Sequence, residues 1–280
     1  MRNHPFRQVD VFSDRPLLGN PLAVVFDADG LDDATMLAFT RWTNLSEAVF
    51  LQSPKDPRAD YRLRIFGARG EMAFAGHPTL GGCHAWLEAG GRPHGEDVMQ
   101  ECGVGLVRVR RGGGRLSFLA PPLLRDDAFD EGESLRIAYG LGVSRHDILG
   151  ARWVDNGGGW RAVLLREGVD LRRLTPDPSV LAGMKLGVIA LSGDHADALF
   201  EVRAFVFAGG LLEDPATGSL NAGIATWFAR EGLAPASYVV AQGMALGRDA
   251  RLHILRDGAD IWLGGQTVTA IEGHVALPRV

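Results

Sequence analysis

Residues 70–86 read GEMAFAGHPTLGGCHAW, a short apolar strand over 72–75 that breaks at Gly76 and turns straight into a helix. Gly76 permits the tight turn, His77 takes the helix N-cap position, and Pro78 suits the first helical position, where a missing N–H costs nothing. Gly81 and Gly82 stand inside that helix. A glycine in a helix interior costs roughly 1 kcal/mol relative to Ala, so two in a row predict a buried central helix against which another backbone packs closely. The free N–H groups and dipole at its start would attract a carboxylate. A lone His beside a turn is more often a satisfied structural residue than a catalyst, and it is the repetition of the pattern that points to function.

About half a chain later the same grammar returns. Tyr61-Arg-Leu-Arg-Ile-Phe66 is echoed by Phe200-Glu-Val-Arg-Ala-Phe205, and GHPTLGGCHAWLEAGG (76–91) by EDPATGSLNAGIATWFAREG (213–232), with Trp86 matching Trp227 and a C-cap glycine, Gly90 or Gly232, closing each helix. Each half then ends on a hairpin, 107–118 in the first and 252–263 in the second. A repeat of roughly 140 residues is too long for a solenoid unit and implies two similar domains facing each other, with the site in the cleft between them. Asp214-Pro215-Ala216-Thr217-Gly218-Ser219 replaces the Gly-His-Pro turn in the second copy, so two helix N-termini are expected to converge on one anion.

The 280 residues, 46% hydrophobic and 22% charged, fit one large or two ordinary soluble domains. The formal net charge of -5 gives no electrostatic reason for nucleic acid or an anionic membrane as partner. No apolar leader opens the chain and no run approaches the ~20 apolar residues of a membrane span, so a cytoplasmic location is expected. Cys83 and Cys102 make no disulfide framework. Asn156-Gly-Gly-Gly159 lacks the Lys-Ser/Thr of a phosphate loop, no dinucleotide fingerprint is present, and the eight His are scattered without metal-binding spacing. Neither nucleotide nor metal is expected.

Strands are predicted over 7–12, 21–26 and 48–51, and an amphipathic helix over 32–43, capped by Asp32 or Asp33 and presenting Met36, Leu37, Phe39 and Trp42. Glu47 follows Asn44-Leu45-Ser46 at a loop-to-strand junction beside strongly apolar neighbours. It is either an exposed turn residue or a carboxylate in an enclosed position, where burial favours proton transfer near neutrality. The polar, turn-rich segment 121–135 is the best linker. It divides the chain into an N-terminal half, 1–122, and a C-terminal half, 123–269. Helices are predicted over 134–141 and 145–149, and strands over 161–165 and 185–191. A last strand near 271–277 has no counterpart to complete, so residues at about 270–280 are expected to return to the first half's sheet.

Five motifs stand in order: Gly19-Asn20-Pro21-Leu-Ala-Val-Val25, Asn44-Leu-Ser-Glu47, Arg64-Ile-Phe66, Phe74-Ala-Gly-His-Pro-Thr79 and Glu213-Asp-Pro-Ala-Thr-Gly-Ser219. Together they resemble the PhzF-like isomerase family of phenazine biosynthesis over nearly the whole chain. The resemblance implies the diaminopimelate-epimerase-like fold, an α/β (α+β) class with two similar halves, each a barrel-like mixed sheet around a central helix. Carried over by motif, it implies Glu47 as general acid/base with His77 and Asp214 as further catalytic residues. Gly76, Gly218 and Ser219 would bind substrate. The activity implied is a cofactor-independent isomerase that moves a proton on a small carboxylic-acid metabolite, working without metal, nucleic acid or membrane, as a homodimer. The alternatives are an epimerase or lyase on a similar substrate, or a non-enzymatic small-carboxylate-binding protein. Related racemases of this fold use two cysteines, one at each helix start. Those turns carry glycine with proline or serine here, and Cys83 lies too far along its helix, so a two-thiol racemase is disfavoured. The chain also departs from the family at Gly67-Ala68 and at Leu246-Gly-Arg-Asp-Ala250.

Overall fold

The computed structural model describes residues 1–193, 195–208 and 212–278. In chain order its first elements are β1 (Arg2–Val11), β2 (Asn20–Val25), α1 (Asp33–Thr43), β3 (Glu47–Gln52), β4 (Tyr61–Gly67), β5 (Gly70–Met72), α2 (Gly76–Glu88), β6 (Val98–Cys102), β7 (Gly105–Gly112) and β8 (Arg115–Leu119). There follow α3 (Glu131–Leu141), β9 (Ile148–Trp153), β10 (Trp160–Leu165), β11 (Lys185–Leu191), β12 (Phe200–Val206), β13 (Leu212–Asp214), α4 (Gly218–Glu231), β14 (Ser237–Gln242), β15 (Ala250–Asp257), β16 (Asp260–Gly265) and β17 (Thr267–Leu277). The chain divides into two compact units, 1–119 with 264–280, and 120–263. No helix among the described residues is long and apolar enough to cross a membrane.

In the first unit β17 pairs antiparallel with β1 over residues 267–277, and β1 pairs antiparallel with β2. The sheet continues through a parallel β2–β3 pair, antiparallel β3–β4, parallel β4–β6, and antiparallel β6–β7 and β7–β8. β5 shares the far end of the β4 edge. Helix α2 lies against β1, β2, β3, β4, β6, β8 and β17, with Gly76 through Cys83 all buried. A Cβ on Gly81 would stand 2.5 Å from Leu22 Cδ2, and one on Gly82 2.8 Å from Leu63 Cδ1. The two glycines therefore let the helix seat against strands on two sides, and helix propensity yields to packing. A second core lies under α1, where Met36 and Phe39 meet Phe50 and Phe66. Asp32 caps α1 by accepting from the Thr35 N–H. Trp42, expected on the apolar face, is 77% exposed, because at 100° per residue it falls on the opposite side of the helix from Thr40.

The second unit repeats the pairing scheme. β9–β10 is antiparallel, β10–β11 parallel, β11–β12 antiparallel, β12–β14 parallel and β14–β15 antiparallel, with β13 sharing the β12 edge. α4 buries Gly218, Leu220 through Ala225, Trp227 and Phe228. The repeat extends to register: Phe66 faces Glu71 across β4–β5 as Phe205 faces Glu213 across β12–β13. Arg64 grips Glu71 at 2.7 and 2.6 Å, and Arg203 grips Glu213 at 2.9 and 2.7 Å. Tyr61 stacks on Trp86 with ring centroids 5.0 Å apart, and Phe200 meets Phe228 at the same distance. The counterpart of Trp86 is thus Phe228 rather than Trp227.

Three further expectations need correction. The strand before α2 ends at Met72 instead of running over 72–75. α3 begins at Glu131, not 134, because Asp130 caps it by accepting from the Glu133 N–H. The helix expected over 145–149 is a single 3-10 turn, Arg145–Asp147, closed by a Ser144–Asp147 capping box, after which the chain extends into β9. Ile148 is buried and Leu149 is 66% exposed, the alternation of a strand.

Candidate active site

Glu47 opens β3 opposite Gly67 of β4, with its side chain 18% exposed. Its Oε2 lies 3.5 Å from Nε2 of His77. α2 begins two residues earlier than its Pro78 suggests: Ala75 is the N-cap, at φ -152° and ψ 140°, and the Thr79 N–H bonds to the Ala75 carbonyl. His77 is therefore the second helical residue rather than the cap. Its side chain, 7% exposed, is free of capping duty and faces the β3 carboxylate. Burial pushes the His77 pKa down to about 3, so the ring is a neutral imidazole at neutral pH. Its Nε2 has no hydrogen-bond partner among the described residues. A neutral imidazole nitrogen accepts or donates according to tautomer, and 3.5 Å is just beyond hydrogen-bond range, so a small shift joins it to a carboxyl.

The first turn of α2 is anchored from behind. Tyr61 OH donates to Gln100 Oε1 at 2.9 Å, and Gln100 Nε2 donates to Thr79 Oγ1 at 3.1 Å, all buried. Gly76, the first helical residue, is buried as well. Cys83 faces the interior, and burial pushes its thiol up to about 12, so it carries no thiolate.

In the second unit Asp214 ends β13 beside Ala204. Thr217 is the N-cap of α4, yet its hydroxyl caps nothing and instead donates to Asp214 Oδ2 at 2.5 Å. Gln242 ties the turn together: its Nε2 donates to the Asp214 carbonyl and to Thr217 Oγ1, and its Oε1 accepts from the Thr217 N–H and from Asn221 Nδ2. Gly218 opens α4, and Ser219 occupies the second helical position, as His77 does in α2. Ser219 Oγ accepts from the Trp160 indole N–H at 3.0 Å. The expected residues thus form two groups, Glu47 with Gly76 and His77 in one unit, and Asp214 with Gly218 and Ser219 in the other. Thr217, Asn221 and Gln242 were missed. Thr217 lay inside the motif already quoted, but nothing in the spacing marks Gln242, which is 25 residues away on another strand. Among the described residues no cluster of His, Cys, Asp or Glu is grouped to hold a metal.

The chain belongs to the phenazine biosynthesis-like family, whose model matches residues 9–273. It is 34% identical to Antisense-enhancing sequence 1 of Schizosaccharomyces pombe, over 98% of this chain and 99% of that one. It is 32% identical to the trans-2,3-dihydro-3-hydroxyanthranilate isomerase of Pseudomonas aeruginosa, covering 96% of this chain and 94% of the relative. The crystal structure of a Bacillus anthracis PhzF-family phenazine biosynthesis protein matches with a TM-score of 0.84 at 23% identity, over 99% of this chain and all of that one, which establishes the common fold. The isomerase class follows from these relatives.

Proposed function

We propose that the protein is a cofactor-independent isomerase that moves a proton between carbons of a small carboxylic acid, with Glu47 as general acid/base. The buried approach of Glu47 Oε2 to His77 Nε2 carries the proposal. Glu47 takes the proton from one carbon and returns it to another on the same face. The neutral imidazole of His77 hydrogen-bonds the carboxyl in whichever state it is and so holds it in place. Asp214 is a further catalytic residue, with its carboxylate fixed by Thr217. The first-turn N–H groups at Gly76 and Gly218 and the Ser219 hydroxyl bind the substrate carboxylate and the charge that develops beside it. One carboxylate suits a same-face shift better than inversion at a single carbon, which calls for groups on both faces. The dihydro-hydroxyanthranilate substrate named for the Pseudomonas relative belongs to the class expected, a cyclic amino acid with an acidic C–H. A cytoplasmic homodimer fits the family, and light scattering tests the dimer.

The test is a screen of small carboxylic acids, beginning with that compound, for deuterium uptake from heavy water, followed by NMR of the product. A moved double bond carrying deuterium supports the proposal. Deuterium with an inverted centre makes the protein an epimerase, loss of a leaving group makes it a lyase, and binding without exchange makes it a carboxylate-binding protein.

A further inference from the structure

The loop Asn156-Gly-Gly-Gly159 is pinned by hydrogen bonds from Asp155 and Lys185 and is joined to the start of α4 through Asn156. Asp155 Oδ1 accepts from the N–H groups of Gly157 and Gly159 at 2.8 and 2.7 Å. Asn156 Nδ2 donates to the Ser219 carbonyl at 2.9 Å. Lys185 Nζ donates to the Gly158 carbonyl at 2.8 Å and sits 5.8 Å from the Trp160 ring centroid. Lys185 opens β11 as Glu47 opens β3, so the second copy places a cation where the first places its acid/base. The product of the arrangement is the Trp160–Ser219 bond, which Gly158 makes room for. A Cβ there would fall 2.6 Å from Trp160 Cδ1, 2.9 Å from its Nε1 and 3.4 Å from Ser219 Oγ.

An indole N–H can only donate, so Ser219 Oγ is the acceptor in this bond and its own proton points elsewhere. We propose that Trp160, seated by Gly158 and Lys185, is a positioning residue that fixes Ser219 as a hydrogen-bond donor toward an anionic carboxylate. An unrestrained serine hydroxyl rotates among several partners; this one is turned into a dedicated donor, whose charge-assisted bond to a carboxylate is stronger than its bond to the carbonyl of a neutral amide of the same shape. The inference rests on Ser219 as a substrate-binding residue.

The probe is anthranilate, compared with anthranilamide, titrated calorimetrically into the intact protein and into Trp160→Phe, Gly158→Ala, Ser219→Ala and the Trp160→Phe/Ser219→Ala double variant, with thermal midpoints recorded for each. Trp160→Phe and Gly158→Ala are expected to weaken anthranilate binding by roughly three- to tenfold, the worth of one hydrogen bond, and to weaken anthranilamide binding less. The loss from Trp160→Phe should vanish in the Ser219→Ala background, because both changes remove the same interaction. An equal loss in both backgrounds, equal losses for the two ligands, or no loss with Trp160→Phe overturns the proposal, as does an intact protein that fails to bind anthranilate. Ser219→Ala binding as tightly as the parent overturns the substrate-binding role of Ser219 as well. Weakening with Ser219→Ala but not with Trp160→Phe removes only the positioning role.

Discussion

At the scale of single residues, the local setting of Glu47 and His77, the pair on which the proposed mechanism rests, was only partly legible. Glu47 could be found from its junction and apolar flank, and the structure places it as the first residue of β3. His77 was found but assigned the wrong duty. Pro78 points to the first helical position on its own, but none of the first four N–H groups of a helix needs an intrahelical partner, so a proline fits anywhere in the first turn. That two-residue difference changes His77 from a cap into a buried imidazole facing Glu47. Its pH consequence has a definite sign. The unfolded chain protonates His77 near 6.5 and the folded one only near 3, so this group's contribution to stability is fully present above about 6.5 and declines as pH falls toward 3. The slope is about 1.4 kcal/mol per pH unit for one proton. His77→Gln removes it: urea unfolding at pH 7, 6, 5 and 4 should show the parent losing its advantage over the variant with acid. Parallel pH profiles would contradict the buried neutral ring.

At the scale of elements, the two glycine-bearing helices and the two Arg–Glu grips give matched pairs in unlike surroundings. Gly81 and Gly223 hold the same position in α2 and α4, but a Cβ at Gly81 meets the ends of Leu22, Val11 and Val9, whereas one at Gly223 stands 2.4 Å from the Val154 carbonyl oxygen. Side-chain ends yield more readily than backbone. Gly81→Ala gains about 1 kcal/mol of helix propensity against a moderate clash, so its net cost should be small. Gly223→Ala should destabilise by roughly 2–3 kcal/mol. Denaturant midpoints of the two variants measure the difference, and equal effects would refute it. Likewise Glu71 is 41% exposed and Glu213 9%, both counted on side chains. Glu71→Ala should cost at most about 1 kcal/mol. Glu213→Ala should cost about 3 kcal/mol, the low end for a broken buried pair, since Arg203 keeps the carbonyls of Leu171 and Leu174 as acceptors. The glycine anomaly was visible in the sequence because helices rarely tolerate adjacent glycines. The buried or exposed fate of each Arg–Glu pair was not, since it depends on the 3-10 turn Leu171–Arg173 that covers only the second.

At the scale of the whole molecule, the duplication was the legible feature, because strand, turn, glycine-bearing helix and hairpin recur in order and each imposes its own residue pattern. The paired sheets follow the same sequence of parallel and antiparallel neighbours in both units. What escaped the sequence was connectivity by side chain: Gln242 reaching back to Thr217, and Trp160 reaching Ser219, join segments brought together only by the fold. β9 was missed because Arg145 and His146 in a 3-10 turn look like the start of a helix. The same duplication also separates the roles of the two copies. Glu47 in the first is answered by Lys185 in the second, so only the first copy has a carboxylate at this strand start, where the proposal puts the acid/base. The most direct test of that assignment is Glu47→Gln, which keeps the shape of the side chain and removes its ability to exchange a proton. Deuterium incorporation into the substrate found by the screen is followed by NMR in heavy water, with ligand affinity measured alongside. The account predicts unchanged fold and binding with exchange slowed by roughly a hundredfold or more; exchange that continues at the parent's rate would contradict it.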